Sequence, residues 1–123
     1  MPERRIVIVD DDESIRKTFF LLLNTKYNVY LAKDAKEALA RFQKAPVDLI
    51  IADFRLPVKN GLQMIQEFRR SGYQGRVILI SAFPDKVGAR ELESLGIDRL
   101  FIKPFDLKIF NETIDQLLGE TRV

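Results

Sequence analysis

Three stretches of the chain, residues 6–9, 48–52 and 77–80, are almost unbroken apolar runs dominated by Val, Ile and Leu. Runs of this length and composition suit parallel strands buried on both faces. Residues 27–32 and 100–102 are weaker strand candidates, and the first of these partly alternates apolar with polar, as an edge strand does. Between the runs the apolar period lengthens to that of a helix. Ile15, Phe19, Leu22 and Leu23 share one helical face, and Ala35, Ala38, Leu39 and Phe42 repeat the pattern behind Asp34 and Glu37, spaced as a capping box. Leu62, Ile65 and Phe68 mark a third helix that ends near Ser71 and Gly72. Val87, Leu92 and Leu95 mark a fourth, starting after Pro84 and stopping at Gly96. Phe110, Ile114, Leu117 and Leu118 mark a fifth, with Asp106 placed as its N-cap.

Strand and helix therefore alternate five times with short connections. This predicts an α/β fold, a (βα)5 doubly wound five-stranded parallel sheet of order 2-1-3-4-5. In that order the strands beginning at Ile6 and Asp48 flank the topological switch point, and ligands belong beyond their carboxyl ends. The length of 123 residues suits a single domain over residues 1–123, with its core at about 4–118.

Composition narrows the chemistry. Cysteine and histidine are both absent, which removes disulfides, thiolates, the commonest zinc ligand and any Ser/His triad. Carboxylates, hydroxyls, lysines and the backbone must carry any reaction. The 20 basic and 18 acidic residues are mixed along the chain, an arrangement that gives no basic face for nucleic acid. Apolar runs such as residues 19–23 and 77–80 are far too short to span a membrane, and no secretory signal opens the chain; a cytoplasmic location is expected.

The switch-point rule then makes a specific demand, which the strand ends meet. Asp10, Asp11 and Asp12 follow the first strand, Asp53 the third, Ser81 the fourth and Lys103 the fifth. Each has an ordinary reading alone: an Asp before a helix caps it, Asp53 before Pro57 shapes a turn, Ser81 bonds the backbone, and Lys103 is a surface lysine. Three acids in one turn exceed what capping needs, however, and repel one another unless a cation joins them. Carboxylates opposed by a hydroxyl and a lysine describe a site for Mg²⁺ and a phosphoryl group.

The segments from Ile6 through Asp12 to Arg16 and from Asp48 to Asp53, with Leu56-Pro57, Asn60-Gly61, Ile80-Ser81-Ala82 and Lys103-Pro104-Phe105, resemble the receiver domains of two-component response regulators. These belong to the CheY-like superfamily, whose fold is flavodoxin-like. The similarity covers essentially the whole chain. It implies that Asp53 accepts the phosphoryl group, that Asp11 binds Mg²⁺ directly and Asp10 through water, and that the backbone carbonyl of Arg55 is a further ligand. It also implies that Ser81 and Lys103 hold phosphoryl oxygens and that Lys103-Pro104 is a cis peptide. Asp12 takes no metal role.

The resemblance implies a phosphohistidine donor, and with no histidine in this chain that donor belongs to a partner, a histidine kinase or histidine phosphotransfer protein. The receiver would catalyse its own modification rather than turn over a free substrate. Residues 84–118 would form the surface that rearranges, for a downstream protein or an output domain outside this chain, and that surface leaves room for a dimer. Neither nucleic acid nor membrane is expected to bind this domain directly. Three rivals are weaker. A phosphatase of the haloacid-dehalogenase type resembles Asp-x-Asp at its nucleophile, where this chain has Arg55, and there is no room for a cap domain. A flavin-binding protein needs a hydroxyl- or glycine-rich phosphate loop after the first strand. A non-phosphorylated interaction module on the same fold typically loses an acid, the hydroxyl or the lysine, all of which are present here.

Two positions depart from the family pattern. Where an aromatic usually stands three residues before the lysine, this chain has Leu100, followed by Phe101. The switch is therefore expected to be weaker or to use other side chains. Arg55 replaces a smaller polar or Met-type residue, and its guanidinium could reach the phosphoryl oxygens or the acid cluster. Arg55→Asn is expected to change the dephosphorylation rate of phospho-Asp53, and an unchanged rate would reduce Arg55 to a solvated loop residue.

Overall fold

A computed structural model describes residues 4–83 and 87–119. Five strands alternate with five helices: β1 (Arg5–Val9), α1 (Glu13–Leu23), β2 (Asn28–Ala32), α2 (Ala35–Phe42), β3 (Leu49–Asp53), α3 (Gly61–Arg70), β4 (Arg76–Ser81), α4 (Ala89–Ser94), β5 (Arg99–Ile102) and α5 (Leu107–Gly119). The strands form one sheet of order β2-β1-β3-β4-β5, every pair parallel. This is the doubly wound arrangement that the alternation predicts, with the switch point between β1 and β3.

The apolar runs lack polar positions because both faces of the central strands are covered. Ile6, Ile8, Leu49, Ile51, Ile78 and Ile80 pack with Phe19 and Leu23 of α1 and with Phe110, Ile114, Leu117 and Leu118 of α5. The intervening residues Val7, Val9, Ile50, Ala52, Val77 and Leu79 pack against α2 and α3 instead. Period-two alternation thus divides the core into two layers. In the first, Phe110 stacks on Phe19 at 4.9 Å and meets Phe101 and Phe105 edge-on, at 5.1 and 5.2 Å between ring centroids.

Asp34 accepts the Glu37 amide and Asp106 accepts the amides of Lys108 and Ile109, as the spacing leads one to expect. Asn60 and Gln63 form a reciprocal capping box that the sequence reading did not name. Gly72, with φ of 100°, follows the end of α3 at a left-handed position that favours glycine. The second strand begins at Asn28, one residue later than its pattern suggests, because the Tyr27 amide bonds back to Leu23 at the end of α1.

The fourth helix is shorter than its apolar spacing suggests. Val87 is buried but precedes α4, Leu95 is its C-cap, and the expected start after Pro84 falls outside the described residues. No residue of α4 itself is buried. Its carboxyl end is held instead by Arg69 of α3, whose Nε donates to the Leu95 carbonyl at 2.8 Å and Nη2 to that of Gly96 at 3.1 Å. Among the described residues no helix is long and apolar enough to cross a membrane.

Phe110→Ala is expected to destabilise the fold by about 3–5 kcal/mol, since the ring is fully buried among three others. Leu21→Ala, at a position 73% exposed on α1, should stay within about 0.5 kcal/mol. Urea unfolding of the two variants beside the parent chain measures both.

Candidate functional site

The parallel sheet aims all its carboxyl ends at one rim, and four strand ends deliver the groups singled out from the sequence. Asp10 follows β1 directly and is only 2% exposed. Its amide donates to the Ala32 carbonyl at the end of β2, and its Oδ1 accepts the Asp12 amide at 2.9 Å. Arg16, one turn into α1, donates to the Asp10 carbonyl at 2.7 Å and fixes the acidic turn from below. Asp12 is the N-cap of α1, accepting the amides of Ser14 and Ile15. The capping role therefore falls to Asp12, which leaves Asp10 and Asp11 for other work.

Asp53 ends β3 and is 7% exposed. Its Oδ1 accepts the Arg55 amide at 3.1 Å, and its Oδ2 faces the Lys103 Nζ at 3.1 Å. Lys103 is placed by its own amide, which donates to the Ser81 carbonyl, and its peptide to Pro104 is cis, as the resemblance implies. Ser81 is fully buried at the end of β4, and its Oγ accepts the Phe83 amide at 2.9 Å. Below Asp53 the chain turns so tightly that a Cβ on Gly61 would lie 2.5 Å from the Asp53 carbonyl oxygen. Only glycine fits there.

Carboxylate oxygens of Asp10, Asp11 and Asp53 lie within 4.8 Å of one another, Asp11 exposed and the other two buried. Asp11 and Asp53 line an open cleft of about 550 Å³ together with Phe54, Arg55, Leu56, Pro57 and Asn60. Burial pushes the Asp10 carboxyl up to about 6; the Asp12 amide opposes the rise, the Asp53 charge adds to it, Lys103 opposes it and Asp11 adds a little more. An all-oxygen donor set with excess negative charge fits a hard divalent cation such as Mg²⁺. Asp10, Asp11, Asp53 and Lys103 are thus brought together, and Ser81 ends the strand beside Asp53.

The Arg55 side chain rests on a group that its sequence reading did not name. Its guanidinium lies over the Phe83 ring, 4.9 Å from the centroid, rather than on the acids. A cation–π contact at an exposed site is worth about 0.5–1 kcal/mol. Sequence reasoning missed Phe83 in this role, as it missed Arg16 as the anchor of the acidic turn. Spacing gives no sign of either, because each acts across two loops or onto backbone.

The family model of the response regulator receiver domain matches residues 6–115, and the chain belongs to that family. Response regulator RR06 of Streptococcus pneumoniae is 32% identical over 92% of this chain and 52% of its own length. The chain thus spans about half of that relative. Among solved structures, the non-phosphorylated HemR receiver domain of Leptospira biflexa superposes with a TM-score of 0.87 at 30% identity, covering 98% of each chain. The response regulator protein TrrA of Thermotoga maritima, solved in complex with Mg²⁺ and BeF, gives 0.79 at 29% identity, over 93% of this chain and 98% of that one.

Since the folded Asp10 value of about 6 lies above the ordinary 3.8, between those two pH values the fold holds a proton that the unfolded chain has already released. Stability from this group is complete below about pH 4 and is lost as pH rises through about 6. Asp10→Asn is expected to stabilise the divalent-free chain at pH 7 by roughly 1–3 kcal/mol, a gain that closes near pH 3.5. Urea unfolding in the presence of a chelator at both pH values measures it.

Proposed function

We propose that this chain accepts a phosphoryl group from a phosphohistidine donor onto the Asp53 carboxylate and signals through the surface around residues 84–118, of which 84–86 lie outside the described residues. The observation that carries this reading is the placement of Asp53. One of its oxygens faces the Lys103 ammonium at 3.1 Å, and the carboxylates of Asp10 and Asp11 stand within 4.8 Å of the same group. In this reading residues 1–123 form one receiver unit in the cytoplasm.

A carboxylate oxygen of Asp53 forms the new bond to phosphorus, the bond from phosphorus to the donor imidazole breaks, and the imidazole leaves with that electron pair. Lys103 neutralises charge on the transferring oxygens and offsets repulsion between the incoming group and the acids. The Arg55 amide, on Asp53 Oδ1, holds the nucleophile in one orientation. Arg16 keeps the acidic turn rigid through the Asp10 carbonyl. The Ser81 hydroxyl is placed to donate to a phosphoryl oxygen once it turns from the Phe83 amide. Asp11, Asp53 and the Arg55 backbone carbonyl would hold Mg²⁺, with Asp10 acting through water, and the ion would supply further charge neutralisation. The RR06 and TrrA relationships support the role, since both are named response regulators and the latter was solved with Mg²⁺ and BeF. A histidine kinase or phosphotransfer protein is the fitting donor. A downstream protein or an output domain elsewhere in a longer chain is the fitting recipient.

Intact mass after incubation with acetyl phosphate tests the proposal. One Mg²⁺-dependent phosphoryl adduct is expected on the parent chain and none on Asp53→Ala. No adduct, together with no binding of beryllofluoride, would leave the chain as a non-phosphorylated interaction module.

A further inference from the structure

Leu100 offers no ring to report the state of the site, and Phe101 beside it is committed elsewhere. Its ring packs at 5.2 Å from Phe105 and 5.1 Å from Phe110, in the layer under α1 and α5. Phe83 is different. It lies two residues beyond Ser81 and remains 44% exposed, and two groups hold it. Its amide donates to the Ser81 Oγ at 2.9 Å, while the Arg55 guanidinium covers its ring at 4.9 Å.

Both groups belong to the rim of the phosphoryl site. Arg55 lies two residues beyond Asp53, bonds it through the backbone at 3.1 Å and lines the same open cleft. A guanidinium over a half-exposed ring is weakly held, whereas a guanidinium on a phosphoryl group forms charge-assisted and often bidentate hydrogen bonds. The Ser81 hydroxyl accepts from the Phe83 amide in the resting chain, and the rotamer change that brings its proton onto a phosphoryl oxygen carries Oγ off that amide. A dianion on Asp53 therefore competes for both ends of the grip on Phe83, and this differential contact is what can shift the equilibrium.

We propose that Phe83 is the state-reporting side chain of this receiver, clasped by Arg55 and Ser81 while Asp53 is free and released when a phosphoryl group on Asp53 draws both away. The inference rests on the phosphoryl-acceptor reading above. Arg55 then acts twice, covering Phe83 at rest and pairing with phosphoryl oxygens afterwards.

The chain contains no tryptophan, so Phe83→Trp places a single indole at this position, and indole is the best of the aromatic partners for a cation. Acrylamide quenching of that indole reads its cover, and fluorine NMR reads bound beryllofluoride independently. With Mg²⁺ and beryllofluoride the quenching constant is expected to rise by up to about twofold, since a ring 44% exposed at rest loses its guanidinium cover. Adding Arg55→Ala should raise the resting constant to the same level and abolish the response. In the unmodified chain, exchange of the Phe83 amide should accelerate when beryllofluoride binds. The proposal is overturned if fluoride is bound while quenching and amide exchange stay at their resting values. It is equally overturned if Arg55→Ala leaves the resting constant unchanged. If no bound fluoride resonance appears and acetyl phosphate leaves no adduct on the parent chain, the phosphoryl-acceptor reading falls and takes the release step with it, while the resting comparison still reads the clasp.

Discussion

Three carboxylates crowd the rim of the sheet, within 4.8 Å of one another, and the Lys103 ammonium stands against them at 3.1 Å from Asp53. Like charges at this range do not gather unaided. The surrounding fold supplies the restraint: the Asp12 amide on one oxygen of Asp10, Arg16 on its carbonyl, and the Arg55 amide on Asp53. The site is therefore a loaded arrangement in which negative charge is concentrated by the fold alone. Its cost falls on stability: Asp10 is raised first by burial and further by the Asp53 charge, and its return is a donor set fit for a hard divalent cation.

Parallel pairing is what makes this concentration geometric rather than accidental. Because every strand runs the same way, residues that follow the strands converge without any long excursion of chain. The register sets Asp53 against Ile80, one residue short of Ser81, and Ser81 against Ile102, one residue short of Lys103. Each group thus stands at nearly the same height on the rim. The tight passage of Gly61 under the Asp53 carbonyl lets α3 begin close behind the site, with Asn60 and Gln63 closing its first turn.

Much of this is legible from residue order alone. Continuous β-branched runs name the buried strands, and the strand ends name Asp10, Asp11, Asp53, Ser81 and Lys103. What stays hidden shares a physical character. Arg16 acts on a backbone carbonyl, Arg69 on two more at the end of α4, and Arg55 on a ring across a gap between loops. Long cationic side chains reach in many directions, so spacing does not reveal their targets. The pattern overstates α4 for a related reason: Val87 and Leu95 are apolar at helical spacing, yet they pack from outside its ends. Asp12 looks like its two neighbours in the sequence and is the cap in the structure.

The division of the core into two layers has a bearing on how such a chain can diversify. Along each central strand alternate residues face α1 and α5 or α2 and α3, with a sheet one strand thick between them. Substitutions on opposite sides share few partners, and effects at separated sites add nearly independently. Either pair of helices can then drift toward a new binding surface without forcing compensation in the other. The rim, which both layers support but neither contains, keeps its chemistry while its audience changes.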